Sequence, residues 1–471
     1  MRTTISLVAG LFFMLPTASA SIPQALSYLP EGSQTALYVQ SLSTNETYQA
    51  LNDTALVPPA STQKLITALA ATMAFPSNFR FSTTIEQHKN DLTFRFSGDP
   101  SLMHKDIKQL IRKAKNSGLR TIEGNIWLDD SAFNGYERAV GWPWDILGVC
   151  YSAPSSAISL NQNCVQAALY TQKNGKTRVN VPSHQSIFVT TNVRTVSKSE
   201  KKQQFCDLEL STTPFNNYQL SGCLVERNKP LPLNFAIQDT FLYTQEVIRK
   251  ELEAQGVSFK GQVIKGKPQA QGKVLAQHQS ASLPELIDIM LKESDNLIAD
   301  NLTKALGSYY YQQPGSFSNG TAAIKDILKQ KANINLSNSR LVDGSGLSRN
   351  NRITAKQLTD VLNYIYKNDA QLKLLRHLPT AGMDGTLQYR RSMRIDPIKG
   401  KITAKSGSLY GTYNMAGFAT TSAGEPLLFV QLISNYLPEP KKEGAPVTPP
   451  AIELFEKQFY QDLLSSSLSN N

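Results

Sequence analysis

The sequence predicts an α/β protein in which an antiparallel sheet lies between helices and is supplied by both ends of the chain. Three observations point there. Thr35 to Leu42 reads as a strand, turns at Ser43-Thr44-Asn45-Glu46 and leads into a second strand, so a hairpin comes first. Near the other end, Ile402-Thr403-Ala404, Asn414 to Thr421 and Pro426 to Ser434 read as three successive strands. Helical periodicity flanks both groups.

Taken in order, Pro58-Pro59-Ala60-Ser61 announces a helix start, and Leu65, Ile66, Leu69 and Met73 supply its apolar face through Phe75. From about residue 77 the texture becomes β-rich: Leu92 to Phe96, Ile122 to Leu128 and Ser186 to Thr191 are strands, interrupted by a helix from Ile107 to Ser117. Near Ser280 the block ends. Leu283 to Leu306 and Ala322 to Gln330 are helical again, and Ile452 to Leu464 is an amphipathic closing helix.

The 471 residues are 41% hydrophobic and 18% charged, which excludes disorder, collagen and coiled coil and leaves room for two or three domains. Against 37 Asp+Glu stand 48 Lys+Arg, a formal net charge of +11. That excess suits weak association with anionic polymers or a membrane surface. Without a dense basic run or motif, nucleic acid is not an expected partner. Arg2, the apolar run Ile5 to Leu15 and the small residues Ala18-Ser19-Ala20 have the pattern of a signal peptide over residues 1–20. The run is too short to span a bilayer, so export of a soluble protein is expected, without a later membrane anchor.

Cys150, Cys164, Cys206 and Cys223 form an even set without Cys-x-x-Cys spacing. In an exported chain this favours two disulfides over a zinc site, and no metal or other cofactor is expected. Three pairings are possible. Proximity favours Cys150–Cys164 and Cys206–Cys223, each worth about 3 kcal/mol in the chain-entropy model.

Five histidines are present, none beside a Gly-x-Ser-x-Gly elbow or in a His-Glu-x-x-His pattern, so triad and metal chemistry have no starting point. Ser61-Thr62-Gln63-Lys64 offers another route. At a helix start, positions i and i+3 share a face, which brings the Lys64 amine to the Ser61 hydroxyl. A lysine deprotonated by such surroundings serves as general base for serine acylation. Ser199-Glu200-Lys201-Lys202 repeats the spacing in a charged loop and reads as solvated decoration. Ser294-Asp295-Asn296 lies at a turn between helical segments and presents a hydroxyl and a carboxamide. Lys405-Ser406-Gly407-Ser408, the chain's single Lys-[Ser/Thr]-Gly, ends a strand. Its lysine suits a carboxylate, and Gly407 is expected to let a substrate backbone lie close along the strand edge.

In this order and context, the three motifs resemble the set of the penicillin-recognising serine enzymes. The 229 residues between Lys64 and Ser294 narrow the likeness. A large insertion there is similar to class C low-molecular-mass penicillin-binding proteins, the D-alanyl-D-alanine carboxypeptidase/endopeptidases of the penicillin-binding protein 4 type. Gly98-Asp99-Pro100-Ser101-Leu102, Gly141-Trp142-Pro143-Trp144-Asp145 and Asp343-Gly344-Ser345-Gly346-Leu347-Ser348-Arg349 also look like that family. Ser406 stands where Thr is commoner, keeping the hydroxyl.

The resemblance implies a penicillin-binding domain at 21–76 with 282–471. It also implies two nested β-rich inserts, one at 77–157 with 230–281 and one at 158–229. It implies that Ser61 attacks the D-Ala carbonyl while Lys64 takes its proton, that Ser294 relays a proton toward the leaving amine, and that Asn296 holds the acyl-side amide. Lys405 and Ser406 would engage the terminal carboxylate, and the N–H groups of Ser61 and Ser408 would form the oxyanion hole. Asp145 and Arg349 would grip the zwitterionic end of a diaminopimelate side chain. Peptidoglycan muropeptides are the implied substrates, β-lactams the covalent inhibitors, and the periplasm the location. Two alternatives compete: a serine β-lactamase and a non-catalytic peptidoglycan-binding protein. Class A β-lactamases rely on a Glu between the second and third motifs, and Ser294 through Gly424 contains none.

Overall fold

The computed structural model describes residues 24–439 and 448–465, so the expected signal peptide lies outside the described residues. The hairpin strands Gln34–Ser41 and Thr47–Leu51 join Ile402–Leu409, Thr412–Thr420 and Pro426–Ser434 in one five-stranded sheet, antiparallel throughout. Gln34 lies opposite Ser434 and Ser41 opposite Leu427, so the two ends of the chain meet in the sheet interior. Ile402–Leu409 is left at an edge.

Period-two alternation divides the central strands between two cores. Ala36, Tyr38, Leu428, Val430 and Leu432 face a core with Leu65, Leu69, Leu286, Ile298 and Leu358. Leu37, Val39, Leu427, Phe429 and Ile433 face Phe455, Phe459, Tyr460 and Leu463 of the closing helix Ala451–Leu464. A strand buried on both faces needs a continuous apolar run, which Pro426–Ser434 supplies. Its one buried amide, Gln431, accepts a 2.6 Å hydrogen bond from Tyr460 Oη.

The helix expected from Pro58 begins instead with a 3-10 turn, Ala60–Gln63, and becomes α-helical at Lys64–Ala74. It is the central helix, buried from Lys64 through Ala71. Leu283–Lys292, Asn296–Tyr311, Phe317–Ala332 and Ala355–Lys367 pack around it.

The middle block is less purely β than its sequence texture. Its main sheet, in the order Val263–Lys265, Ile126–Asp129, Asp91–Phe96, Ser82–His88, Lys273–Gln279, packs against the helices His104–Asn116 and Thr240–Ala254 around Phe94, Leu110 and Ile248. The strand expected over Ile122–Leu128 is broken into Thr121–Ile122 and Ile126–Asp129. At Gly124 a side chain would meet the Asn90 backbone at 2.9 Å.

Further in, Cys164–Thr171 pairs with Thr177–Asn180 and Leu231–Ala236, and three short strands, Phe188–Thr191, Arg194–Val196 and Leu208–Thr212, pair with Asn217–Val225. Leu231, Leu233 and Phe235 alternate onto the small core of Leu169, Tyr218 and Leu220, which ties Leu231–Ala236 to the inner strands. The cysteines pair as Cys150–Cys164 and Cys206–Cys223. Among the described residues, no helix is long and apolar enough to cross a membrane.

Candidate active site

The 3-10 turn holds Ser61 at the mouth of the central helix, half-buried, with Lys64 one turn on and fully buried. Lys64 Nζ donates to Ser61 Oγ at 3.0 Å, Asn296 Oδ1 at 2.6 Å and the Ser345 carbonyl at 2.9 Å. Three neutral acceptors leave the ammonium without a direct counter-ion. Burial lowers the Lys64 pKa to about 8, against the opposing pull of Asp300, Asp343 and Asp295.

Ser294 sits between two helices in a left-handed conformation, φ 60°. A non-glycine residue held there costs on the order of 1–3 kcal/mol. The next residue, Asp295, caps the following helix by accepting from Ile298 N at 2.8 Å, and Asn296 opens that helix. The strained turn thus aims the side chains on either side of Asp295 inward: Asn296 at Lys64, and Ser294 at Lys405, whose Nζ donates to Ser294 Oγ at 3.0 Å and to the Ser406 carbonyl at 2.8 Å. Lys405 is also fully buried. Its pKa is well below the usual lysine range because of burial and the nearby charges of Lys64 and Arg390. Ser406 Oγ bonds Thr386 Oγ1 at 2.8 Å.

The edge strand runs beside the turn that carries Ser61. Residues 402 and 404 direct their backbone groups outward, Ala381 N to Ile402 O at 2.8 Å and Ala404 N to Pro379 O at 2.9 Å. Antiparallel alternation puts Ser406 and Ser408 on that same open side. At Gly407 the strand passes close to the turn that carries Ser61. A Cβ there would lie 2.9 Å from both Ser61 N and Thr62 N and 3.0 Å from Pro59 O. Its missing side chain admits the Ser61 turn.

A cleft of about 880 Å³ opens over Ser61, Ser294, Asn296 and Ser408, walled by Trp142, Asp145, Tyr151 and Arg349. Asp145 and Arg349 are both exposed and have no ion-pair partner among the described residues. Both face Tyr151, whose pKa is raised by partial burial and Asp145 against a lowering by Arg349. The Trp142, Asp145 and Tyr151 part of this wall comes from the middle block and is fastened to the segments that carry Asn296, Asp343 and Arg349: Asn296 Nδ2 donates to Tyr151 O at 2.7 Å, Trp142 Nε1 to Asp343 Oδ2 at 2.9 Å, and Arg349 N to Gly141 O at 3.1 Å. Buried Lys304 clamps the same segment through the carbonyls of Tyr136 and Ser155, at 2.8 and 2.6 Å.

The family model of the D-Ala-D-Ala carboxypeptidase 3 (S13) family matches residues 18–448. The chain belongs to that family. Among S13 relatives, D-alanyl-D-alanine carboxypeptidase DacB of Haemophilus influenzae is 37% identical over 97% of each chain. A D-alanyl-D-alanine carboxypeptidase of Actinomadura sp. is 26% identical over 86% of this chain and 78% of its own. The crystal structure of penicillin binding protein 4 from Haemophilus influenzae superposes with a TM-score of 0.87 at 36% identity, covering 94% of this chain and 98% of that one. Its complex with a novel β-lactam gives 0.82 at 35% identity, with the same coverages. The S13 fold accounts for the sheet between helices.

Sequence reasoning missed three residues of this S13 site. Asp300 is buried one turn beyond Asn296, and its Oδ1 accepts from Gly344 N and Ser345 N, each at 2.9 Å. Burial beside Asp343 raises its pKa to about 8. Its i+4 spacing from Asn296 was the available signal. Lys304 and Tyr151 gave none, because what they touch lies roughly 150 residues away in sequence.

Proposed function

We propose that the chain is an exported serine D,D-peptidase. It removes the terminal D-Ala from peptidoglycan stem peptides and cleaves D-Ala–diaminopimelate cross-links through a Ser61 acyl-enzyme. The observation that carries the reading is Ser61 Oγ at 3.0 Å from a buried amine whose pKa has dropped to about 8, open to a cleft. Neutral Lys64 accepts the Ser61 proton as Oγ bonds to the D-Ala carbonyl carbon. The negative charge that develops on the carbonyl oxygen is met by the N–H groups of Ser61 and Ser408, at the positive end of the helix and on the open strand edge. Ser294 passes a proton to the leaving amine, and water then releases the acyl group.

The terminal carboxylate pairs with Lys405 and Ser406, and its arrival raises the depressed Lys405 pKa, so substrate binding charges that lysine. Asn296 holds the acyl-side amide, and Asp145 with Arg349 takes the diaminopimelate zwitterion. The separate cores around Phe94 and Tyr218 support the division into a catalytic unit and two nested inserts, with the inner insert extended to 236. Location in the periplasm, acylation by β-lactams and weak contact with anionic membranes complete the proposal.

One preparation tests it. Incubated with muropeptide monomers and cross-linked dimers, the protein is expected to release D-Ala from the first and resolve the second into monomers. Penicillin G should leave a lasting adduct; turnover of many per second would instead establish the β-lactamase alternative.

A second expectation follows from the close approach at Gly407. Gly407→Ala pushes the strand and the nucleophile turn apart by a few tenths of an ångström. Because small misplacements of reacting groups are costly, acylation by a fluorescent penicillin should slow by roughly 10–100-fold. The melting temperature should fall as well.

A further inference from the structure

A second pocket of about 470 Å³ adjoins the cleft and shares Arg349, Leu409 and Tyr410 with it. It lies beyond the end of the edge strand, where the chain turns through Tyr410 and Gly411 into Thr412–Thr420. Its lining contains Arg349 and Arg352 and no acidic residue. Neither guanidinium has a carboxylate partner among the described residues, whereas Arg95 and Arg390 are paired with Glu86 and Glu456. Arg352 is held by Nη1, which donates to the carbonyls of Arg349 and Asn351 at 2.7 and 2.8 Å, so its remaining donors are uncommitted. Exposed Leu56, Leu437 and Tyr410 form an apolar rim.

The direction of the bound peptide follows from the site. With the terminal carboxylate at Lys405 and Ser406 and the scissile carbonyl opposite Gly407, the acyl side must leave past Ser408, Leu409 and Tyr410. At about 3.3 Å per residue, one or two further residues reach the second pocket. The stem peptide carries there the free α-carboxylate of its γ-linked glutamyl residue.

Resting on the reading above, we propose that this second pocket binds the upstream part of the stem peptide and that Arg352 pairs with its glutamyl α-carboxylate. Asp145 and Arg349 hold the diaminopimelate branch, while Arg352 reads the main line of the peptide. The site therefore distinguishes free-acid from amidated stem peptides.

Three peptides test this: the complete stem pentapeptide, the same pentapeptide with the glutamyl α-carboxylate amidated, and the truncated diaminopimelyl-D-Ala-D-Ala. The wild type is expected to prefer the free acid over the amide by about tenfold in kcat/KM, as a lost charge-assisted hydrogen bond implies. Arg352→Gln should erase that preference and Arg352→Lys keep part of it. Leu56→Asp, which leaves the Arg352 hydrogen bonds in place and sets a negative charge at the rim, should reverse it. Turnover of the truncated peptide is the internal control for folding in every variant. Equal use of acid and amide by the wild type, or a preference that survives Arg352→Gln, overturns the proposal. Absence of D-Ala release from the truncated peptide and of penicillin labelling would instead overturn the peptidase reading itself.

Discussion

Ser61→Ala is expected to reduce D-Ala release by a factor on the order of 10⁶, the scale on which nucleophile removal acts in other serine peptidases. The fold should survive. Ser61 is half-buried, and loss of its hydroxyl leaves Lys64 Nζ with Asn296 Oδ1 and Ser345 O as acceptors, so no buried cation is stranded. A surface-type change of about 0.5 kcal/mol or less in stability is expected. Intact-protein mass after exposure to penicillin G should show no adduct, while muropeptide affinity stays within a few-fold, because the groups that hold the substrate are separate side chains. These readouts divide the enzyme from a peptidoglycan-binding protein that merely carries the three motifs. Release of D-Ala by the alanine variant at an unchanged rate would sink the acyl-enzyme. Ser294→Ala should be milder, since it removes a relay and leaves both the nucleophile and its base.

Much of this site was legible because its chemistry is local. Ser61 and Lys64 are three residues apart, Ser294 and Asn296 two, and the Lys405 run lies within a single strand, so each group can be read from a short stretch of sequence. The two cores of the sheet were legible for the same reason: Leu428, Val430 and Leu432 alternate with Leu427, Phe429 and Ile433. What could not be read depends on distant partners. Leu231–Ala236 has a clear strand pattern, yet nothing local says that it pairs with Cys164–Thr171. The close approach at Gly407 is made by atoms of Pro59, Ser61 and Thr62, nearly 350 residues earlier. The helix at Ser61 begins as a 3-10 turn because Ala60, at φ 48°, and Gly346, at φ 82°, meet there: a Cβ on Gly346 would lie 1.9 Å from the Ala60 carbonyl oxygen. Asp300 and Lys304 look like ordinary polar positions on an amphipathic helix until the Gly344–Ser345 turn covers the first and the Tyr136 and Ser155 carbonyls cover the second.

The buried charges make the pH dependence of acylation the second large effect. Lys64 acts as a base only when neutral, and its pKa of about 8 means that kcat/KM should rise with pH through that region and level off above it. Replacing it by arginine keeps the charge and removes the base, so Lys64→Arg should lose about 10³-fold or more at every pH, with the rising limb gone. The position of the limb in the wild type is set by the groups around the amine. Asp300, Asp343 and Asp295 hold the lysine proton on, burial drives it off, and the neighbouring Lys405 is itself depressed by the charge of Lys64. Asp300 and Lys64 therefore titrate as a pair. Asp300→Asn retains an oxygen for Gly344 N and Ser345 N while removing the negative charge. Without that charge the ammonium form of Lys64 is less stable, so its pKa falls and the rising limb should move to lower pH by about one unit. A limb that moves upward, or stays where it was, would mean that the charge of Asp300 does not hold the proton on Lys64. The variant should also be less stable by about 1–3 kcal/mol, because Asp300 Oδ2 is buried without a hydrogen-bond partner and an amide nitrogen in its place would have no acceptor. The shift of the limb in kcat/KM is read separately from this loss, since instability lowers the amount of active enzyme and leaves its pH midpoint where it was.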